Sequence, residues 1–255
     1  MARAAASKVE LLAITDHDTV AGYEAAAAYH TENPSGMRLI PGIELSCQWS
    51  GVTIHILGLG VDCEHPVMRA GLERMAAARK ERGAKIASRL ESRGFDGALQ
   101  GALMQAGDSQ LGRPHFAAWM VEQGHVRDPN QAFDRYLGQG KIGDVKAFWP
   151  ELAEVTQWIE SSNGVAVIAH PLKYRFTGTK LRRFIGAFVA AGGRGMEVLS
   201  GRQTTDQTKR LVRLAQDFDL EVSVGSDFHR DATYSAPLGV ESAPFGDLRG
   251  VWQRW

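Results

Sequence analysis

The sequence predicts an α/β protein built as a parallel barrel, with its chemistry at the carboxyl ends of the strands. Three observations carry that expectation. Short apolar runs alternate with amphipathic segments, the pattern of strand–helix units. One run after another ends in an imidazole, a carboxylate or a guanidinium, at the end where such folds keep their functional groups. A chain of 255 residues is also long enough to bury a full core without staples.

Composition narrows the function classes. Lys and Arg total 29, as do Asp and Glu, so the formal net charge is zero. No whole-protein field draws nucleic acid or an anionic membrane, and any polyanion contact is local. Hydrophobic residues make up 44% and charged residues 23%, ordinary for a globular enzyme. Cys47 and Cys63 are spaced neither as a disulfide framework nor as a zinc knuckle, and they suit a reducing cytoplasm. No apolar stretch approaches a membrane span, and residues 1–8 lack a signal-peptide core.

The elements follow in order. Residues 2–7 read as the last turns of a helix. Leu11-Leu12-Ala13-Ile14-Thr15 reads as a strand buried on both faces, running into Asp16-His17-Asp18-Thr19. An alanine-rich helix over 21–29 comes next. Capping of that helix accounts for Asp18 or Thr19, but not for a histidine between two acids. After the turn Asn33-Pro34-Ser35-Gly36, Met37 to Ile40 is a short strand whose end delivers Glu44 past Pro41-Gly42. Val52 to Gly60 is another strand, with His55 embedded in it. A lone strand histidine is ordinarily a hydrogen-bonded core residue; three metal-competent positions in succession weaken that reading.

Residues 65–150 carry helical signals and little strand signal, and are expected to form a helical insertion between barrel segments 1–64 and 151–255. A helix over 66–93 bears Arg69, Arg74, Arg79, Lys80, Arg82, Lys85, Arg89 and Arg93. These form either a solvated face with partners such as Glu73 and Glu81 or a phosphate-backbone contact surface. A second helix covers 99–106. Gly112-Arg113-Pro114-His115 opens a third over 116–123, so Arg113 and His115 sit where an anion is favoured. A helical piece over 133–137 and a loop marked by Phe148 and Trp149 complete the segment.

The last third returns to alternation. Helices are expected over 152–161, 180–190 and 206–218. The strand Gly164 to Ala169 delivers His170, Gly195 to Leu199 delivers Ser200 and Arg202, and Leu220 to Gly225 delivers Asp227 and His229. Phe245 and Trp252 in the tail read as packing.

Collected, the strand ends present His17, Glu44, His55, His170, Asp227 and His229. Four imidazoles and two carboxylates suit Mn²⁺, Fe²⁺ or Zn²⁺ rather than calcium. They outnumber the ligands of one tetrahedral zinc, so a multinuclear site is the economical reading. Adjacent ions stabilise the attacking and leaving oxygens of a displacement at phosphorus and supply hydroxide near neutral pH. Arg113, Arg202 and His115 are available to neutralise phosphate. There is no Walker loop, no GxGxxG after a strand and no Gly-x-Ser-x-Gly elbow.

Thr15-Asp16-His17-Asp18, Pro41-Gly42-Ile43-Glu44, Ile54-His55-Ile56-Leu57-Gly58, Gly112-Arg113-Pro114-His115, Ala169-His170-Pro171 and Gly225-Ser226-Asp227-Phe228-His229 together resemble the PHP (polymerase and histidinol phosphatase) phosphoesterases. Within these the chain is most similar to the bacterial enzymes acting as 3′,5′-nucleoside bisphosphate phosphatases and 5′→3′ exoribonucleases. The resemblance spans nearly the whole chain. It implies a distorted seven-stranded β/α barrel holding up to three metal ions, usually manganese, and a nucleotide or RNA 5′ end as substrate. Carried over, Glu44, His55 and His170 hold one ion, and Glu44 bridges to a second served by Asp227. His17 and His229 serve the third. Asp16, Arg113, His115 and Arg202 are the expected catalytic residues. No DNA sequence recognition, no membrane and no particular protein partner is implied.

One departure is plain. The family opens with a strand carrying His-x-His and a downstream Ser-Asp-Gly, and neither is present here. The expectation is a barrel without its first strand, from a misplaced or cut start or from a truncated copy. Two other readings stay open: a PHP phosphatase for another small phosphomonoester such as histidinol phosphate, and an inactive domain that binds metal or nucleotide.

Overall fold

The structure is a computed structural model describing all residues except Asp108, Ala147, Phe148, Arg230, 232–235 and 243–244. Phe148, expected to mark a loop, lies outside the described residues. The chain forms two compact units: Met1–Gly71 with Pro150–Trp255, and Leu72–Trp149.

In the first unit, α1 (Ala2–Ala6) leads to β1 (Leu11–Ala13), α2 (Ala21–Glu32) and β2 (Arg38–Ile40). β1 and β2 pair in parallel. Pro41 interrupts the strand and β3 (Gly42–Trp49) resumes it. The same parallel pairing continues past the break as a bridge between His17 and Glu44. Glu44 N–H donates to the Asp16 carbonyl at 3.1 Å, and Asp18 N–H to the Glu44 carbonyl at 2.9 Å. Sequence reading had missed β3, although Ile43-Glu44-Leu45-Ser46-Cys47 alternates with a strand's period of two.

β4 (Val52–Leu59) returns antiparallel through the two-residue loop Ser50-Gly51, both at positive φ (48° and 73°). Two positive φ values suit a primed hairpin turn, whose twist matches the strands it joins. The ladder pairs Glu44 with Leu57 and Ser46 with His55, so Glu44, Ser46, His55 and Leu57 share one face. After α7 (Leu152–Ser161), β5 (Val165–Ile168) pairs antiparallel with β4. β6 (Gly195–Ser200) and β7 (Glu221–Gly225) then add in parallel. Helix α8 (Gly178–Ala190) lies between β5 and β6 in the chain, and α9 (Thr205–Asp217) between β6 and β7. Both have Thr N-caps, Thr177 and Thr204, whose side chains accept from the N–H of the third helical residue, Lys180 and Gln207.

The expected all-parallel sheet is corrected: the sheet is mixed, because a two-residue loop can only return a strand antiparallel. No closed sheet forms among the described residues: β1 has β2 on one side and no ladder to β7, the edge left open by a missing first strand. For the same reason β1 is only partly buried rather than enclosed on both faces. Instead Val222 of β7 forms a parallel bridge to Gly250, just before a 3₁₀ turn over Val251–Arg254. The face that carries Glu44 and His55 has an apolar floor of Ile40, Leu57, Leu59, Val165, Val167, Ala169 and Val251, with Leu11, Ala13, Trp252 and Trp255 packed against it. This places Trp252 in the packing, as expected.

α3 (Pro66–Glu91) begins in the first unit and continues into the second. There α4 (Ala98–Ala106), α5 (Arg113–Glu122), α6 (Pro129–Ala132) and a π-helical turn over Phe133–Leu137 follow. Their core includes Ile86, Leu90, Phe116, Trp119, Met120 and Leu137.

Candidate metal centre

Three side chains from three strands converge at the polar end of the sheet face. Glu44 Oε1 lies 2.8 Å from His170 Nε2 and 3.1 Å from His55 Nδ1, and the two nitrogens are 3.3 Å apart. The other carboxylate oxygen, Oε2, is 3.5 Å from His17 Nδ1. His17, Glu44 and His55 each offer a ligand atom within 4.8 Å of the others. Ligand atoms about 2.1 Å from one divalent ion stand roughly 3.0–3.4 Å apart. The triangle of two imidazole nitrogens and a carboxylate oxygen fits that spacing, and its donor types suit a borderline divalent ion. Buried His170 Nδ1 has no hydrogen-bond partner among the described residues, so this ring is not held by an ordinary network on both sides.

Each ligand-type residue is placed by a particular local device. Glu44 is buried within β3. Burial alone would raise its pKa, but the bonds to His170 and His55 outweigh it and hold the carboxyl well below its ordinary value. It stays ionised, as a ligand must. His170 follows β5 at φ 30°, a left-handed conformation. Its N–H donates to Glu197 Oε2 at 2.5 Å. Tyr174, at the end of the 3₁₀ turn over Pro171–Tyr174, accepts from His55 N–H and donates to the Ala169 carbonyl, each at 2.9 Å. That hydroxyl ties the histidine of β4 to the strand that delivers His170. Asp18, buried and at φ 58°, does not cap α2. Its carboxylate accepts from Ser46 N–H at 2.6 Å and from the Ser46 hydroxyl at 2.9 Å, locking the His17 segment onto β3. Thr19 provides the contact to α2, accepting from Ala21 N–H at 3.2 Å.

The remaining expected residues fall into two other groups. Asp227, at φ 49°, forms an ion pair with Lys173 and lies 3.5 Å from His229 Nδ1. Asp16 is exposed, yet desolvation lifts its pKa, and His229 pulls it partly back. A cleft of about 160 Å³ lined by His170, Leu172, Lys173, Ser200, Arg202, Gln203 and Gln207 places Arg202 beside the centre.

Arg113 and His115 belong to the second unit and are occupied there. His115 Nδ1 accepts from Gly112 N–H at 3.0 Å, closing the first turn of α5. Arg113 donates to the Leu137 carbonyl at 3.0 Å and faces Asp144 at 3.7 Å. Several bases of α3 are likewise engaged. Arg79 is buried over Trp149, Arg82 donates to the Val145 carbonyl and Lys85 pairs with Glu81.

Glu197, Lys173, Tyr174 and Ser46 were not singled out from sequence. Glu197 had a visible signal, an acid embedded in the apolar run Gly195 to Leu199. It is buried, and burial lifts its pKa to about 7 despite the His170 N–H.

No protein-family profile matches the chain. A 5′-3′ exoribonuclease of Haemophilus influenzae is 45% identical over 253 residues, covering 99% of this chain and 91% of that one. The chain belongs to this exoribonuclease family. A 3′,5′-nucleoside bisphosphate phosphatase of Chromobacterium violaceum is 39% identical, over 98% of this chain and 88% of its own length. A crystal structure of a metal-dependent phosphoesterase from Bifidobacterium adolescentis superposes with a TM-score of 0.81 at 27% identity, over 99% of this chain and 86% of that one. The protein is therefore a hydrolase of phosphate esters with a mixed α/β fold, and the His/Glu cluster is its candidate site for a divalent metal. No helix among the described residues is long and apolar enough to cross a membrane.

Proposed function

We propose that the enzyme is a PHP-type phosphoesterase that uses divalent ions, manganese first among them, to release phosphate from 3′,5′-nucleoside bisphosphates and from the 5′ ends of short RNA. The observation that carries this reading is the triangle of Glu44, His55 and His170 at ligand spacing, together with relatives named for those two activities. In this reading Glu44, His55 and His170 hold one ion, Asp227 serves a second through Glu44, and His17 and His229 serve a third. Asp227 would be available to an ion once it gives up its pair with Lys173. Bound ions would supply positive charge to the phosphate and acidify water. The chain's own groups orient the substrate: Arg202 and the released Lys173 border the cleft beside His170 and are the cations that hold a phosphate there. Asp16, with its raised pKa, is positioned to take or give a proton. Arg113, which bonds the Leu137 carbonyl, and His115, which closes the first turn of α5, are expected catalytic residues to which this reading assigns no step. In this reading residues 65–150 are a helical insertion into the α/β body, and the two free thiols support a cytoplasmic setting.

The test is phosphate release by the manganese-loaded enzyme from adenosine 3′,5′-bisphosphate, from 5′-phosphorylated RNA and from histidinol phosphate. Manganese-dependent turnover of the first two, lost in Glu44→Gln, is expected. Preference for histidinol phosphate, or release that Glu44→Gln leaves intact, overturns the reading.

A further inference from the structure

A second cleft, of about 250 Å³, opens between α8 and α9 and is lined by Gly178, Arg182, Arg210, Arg213, Leu214 and Asp217. Its surroundings depart from the neutrality of the chain. α8 carries Lys180, Arg182 and Arg183 and no acid. α9 carries Lys209, Arg210 and Arg213 against Asp206 and Asp217. Asp217 is already engaged by Arg182, at 2.6 Å, and the Arg182 guanidinium also rests over Phe218 at 5.1 Å. Arg182 is thus a fixed wall. Arg210 and Arg213 are different: both are exposed, and neither has a hydrogen bond or ion pair to any described residue. The contrast with α3 is informative, since its Arg79, Arg82, Lys85 and Arg89 are committed to an indole, carbonyls or a carboxylate.

One helix, α9, lines both this cleft and the one at the candidate centre. Gln207 lines the cleft beside His170 and Arg202. Arg210 and Leu214 line the second cleft. Residues 207, 210 and 214 fall on one stripe of α9, so the two clefts share a wall about 10 Å long. A row of guanidinium groups leading away from a phosphate site has the chemistry of a groove that tracks a single-stranded backbone without reading bases.

We infer that the α8–α9 face, through Arg210 and Arg213, carries the part of a single-stranded RNA that leads away from the 5′ end held at the centre. The inference rests on the phosphoesterase reading proposed above. It goes further in separating two substrate classes: a nucleoside bisphosphate is satisfied by the centre alone, whereas RNA also uses the track.

The experiment compares wild-type, manganese-loaded enzyme with Arg210→Glu/Arg213→Glu and with the milder Arg210→Gln/Arg213→Gln. Binding of a fluorescent 5′-phosphorylated RNA is read by anisotropy across salt concentrations, hydrolysis of adenosine 3′,5′-bisphosphate is measured in parallel, and circular dichroism melts confirm the fold. The charge-reversed enzyme is expected to bind RNA at least about tenfold more weakly, with a log–log salt slope shallower by about 1.4 for two lost contacts. Its bisphosphate turnover stays within about twofold of wild type, and the Gln variant falls between. RNA affinity and salt slope equal to wild type, with bisphosphate hydrolysis retained, overturn the track and leave the phosphoesterase reading standing. A wild-type enzyme that hydrolyses no bisphosphate overturns that reading, and the inference with it.

Discussion

His170 and His115 occupy comparable places in the chain, each beside a proline where a helical turn begins, yet the molecule uses them in opposite ways. His170 is met by Glu44 and His55, 126 and 115 positions away. Its backbone sits at a left-handed φ, and its N–H is held by buried Glu197. His115 is met by Gly112 and Ser109, three and six positions away. Burial and the charge of Arg79 hold its pKa below the ordinary imidazole value, so it serves as a neutral acceptor. Residue type and position at a helix start are the same for the two rings. What differs is the distance in sequence of the groups that meet them, and that distance is what makes His170 the proposed ligand.

The sharpest way to break the comparison is at Glu44. Glu44→Gln is expected to lower manganese-dependent phosphate release by at least about 100-fold, because the proposal makes Glu44 an ionised ligand to the ion. The matching change, His115→Gln, should leave that rate within about threefold. Similar losses from both would return His115 to the active site. Next in size is the support of His170. Glu197→Leu leaves the His170 N–H without its acceptor and should weaken manganese binding about 10–100-fold by titration calorimetry. Glu197→Gln retains an acceptor and should recover most of it. Equal affinities for both variants would mean that the bond does not position the ring.

Gly42→Ala tests how the distant segments are brought together. A Cβ there would lie 2.7 Å from the Ile14 carbonyl oxygen, pushing apart the backbones that carry His17 and Glu44. A loss of about 1–3 kcal/mol in urea unfolding is expected; an unchanged midpoint would show that this junction yields freely. The smallest effect belongs to His115 itself. Its folded pKa is depressed, so its share of stability is complete above the unfolded value near 6.5 and is lost as pH falls through the folded value. Wild type should therefore lose stability between neutral and mildly acidic pH relative to His115→Gln, whose side chain reaches back to the same N–H without titrating. Parallel pH profiles for the two proteins would refute this.

Much of the sheet was legible because its signals are local. The strands around His55, before His170 and before Asp227 are apolar runs with polar ends, and a short-range pattern suffices to find them. The alternation of β3 was equally local, but Pro41-Gly42 in front of it looked like a terminus. The mixed direction of the sheet was hidden because it depends on a two-residue loop between residues 49 and 52. Of the candidate site, the residue types were readable and the grouping was not. Nothing in the sequence says that His17 meets Glu44 while Asp227 pairs with Lys173. Nor does a motif announce that His115 caps its own helix, since the same letters would serve an anion site.

The turn at Ser50-Gly51 limits how this protein can vary in length. Glu44 and His55 share a face only because two residues separate β3 from β4 and fix Ser46 opposite His55. A single inserted or deleted residue that shifted the pairing by one step would send one of the two to the opposite surface, where Ile43, Leu45 and Ile54 are packed. Lineages carrying this hairpin are therefore free to vary its two turn residues within what positive φ permits, while frame-preserving indels at that point are closed to them unless the added residue is absorbed as a bulge that leaves the Ser46–His55 pair in place.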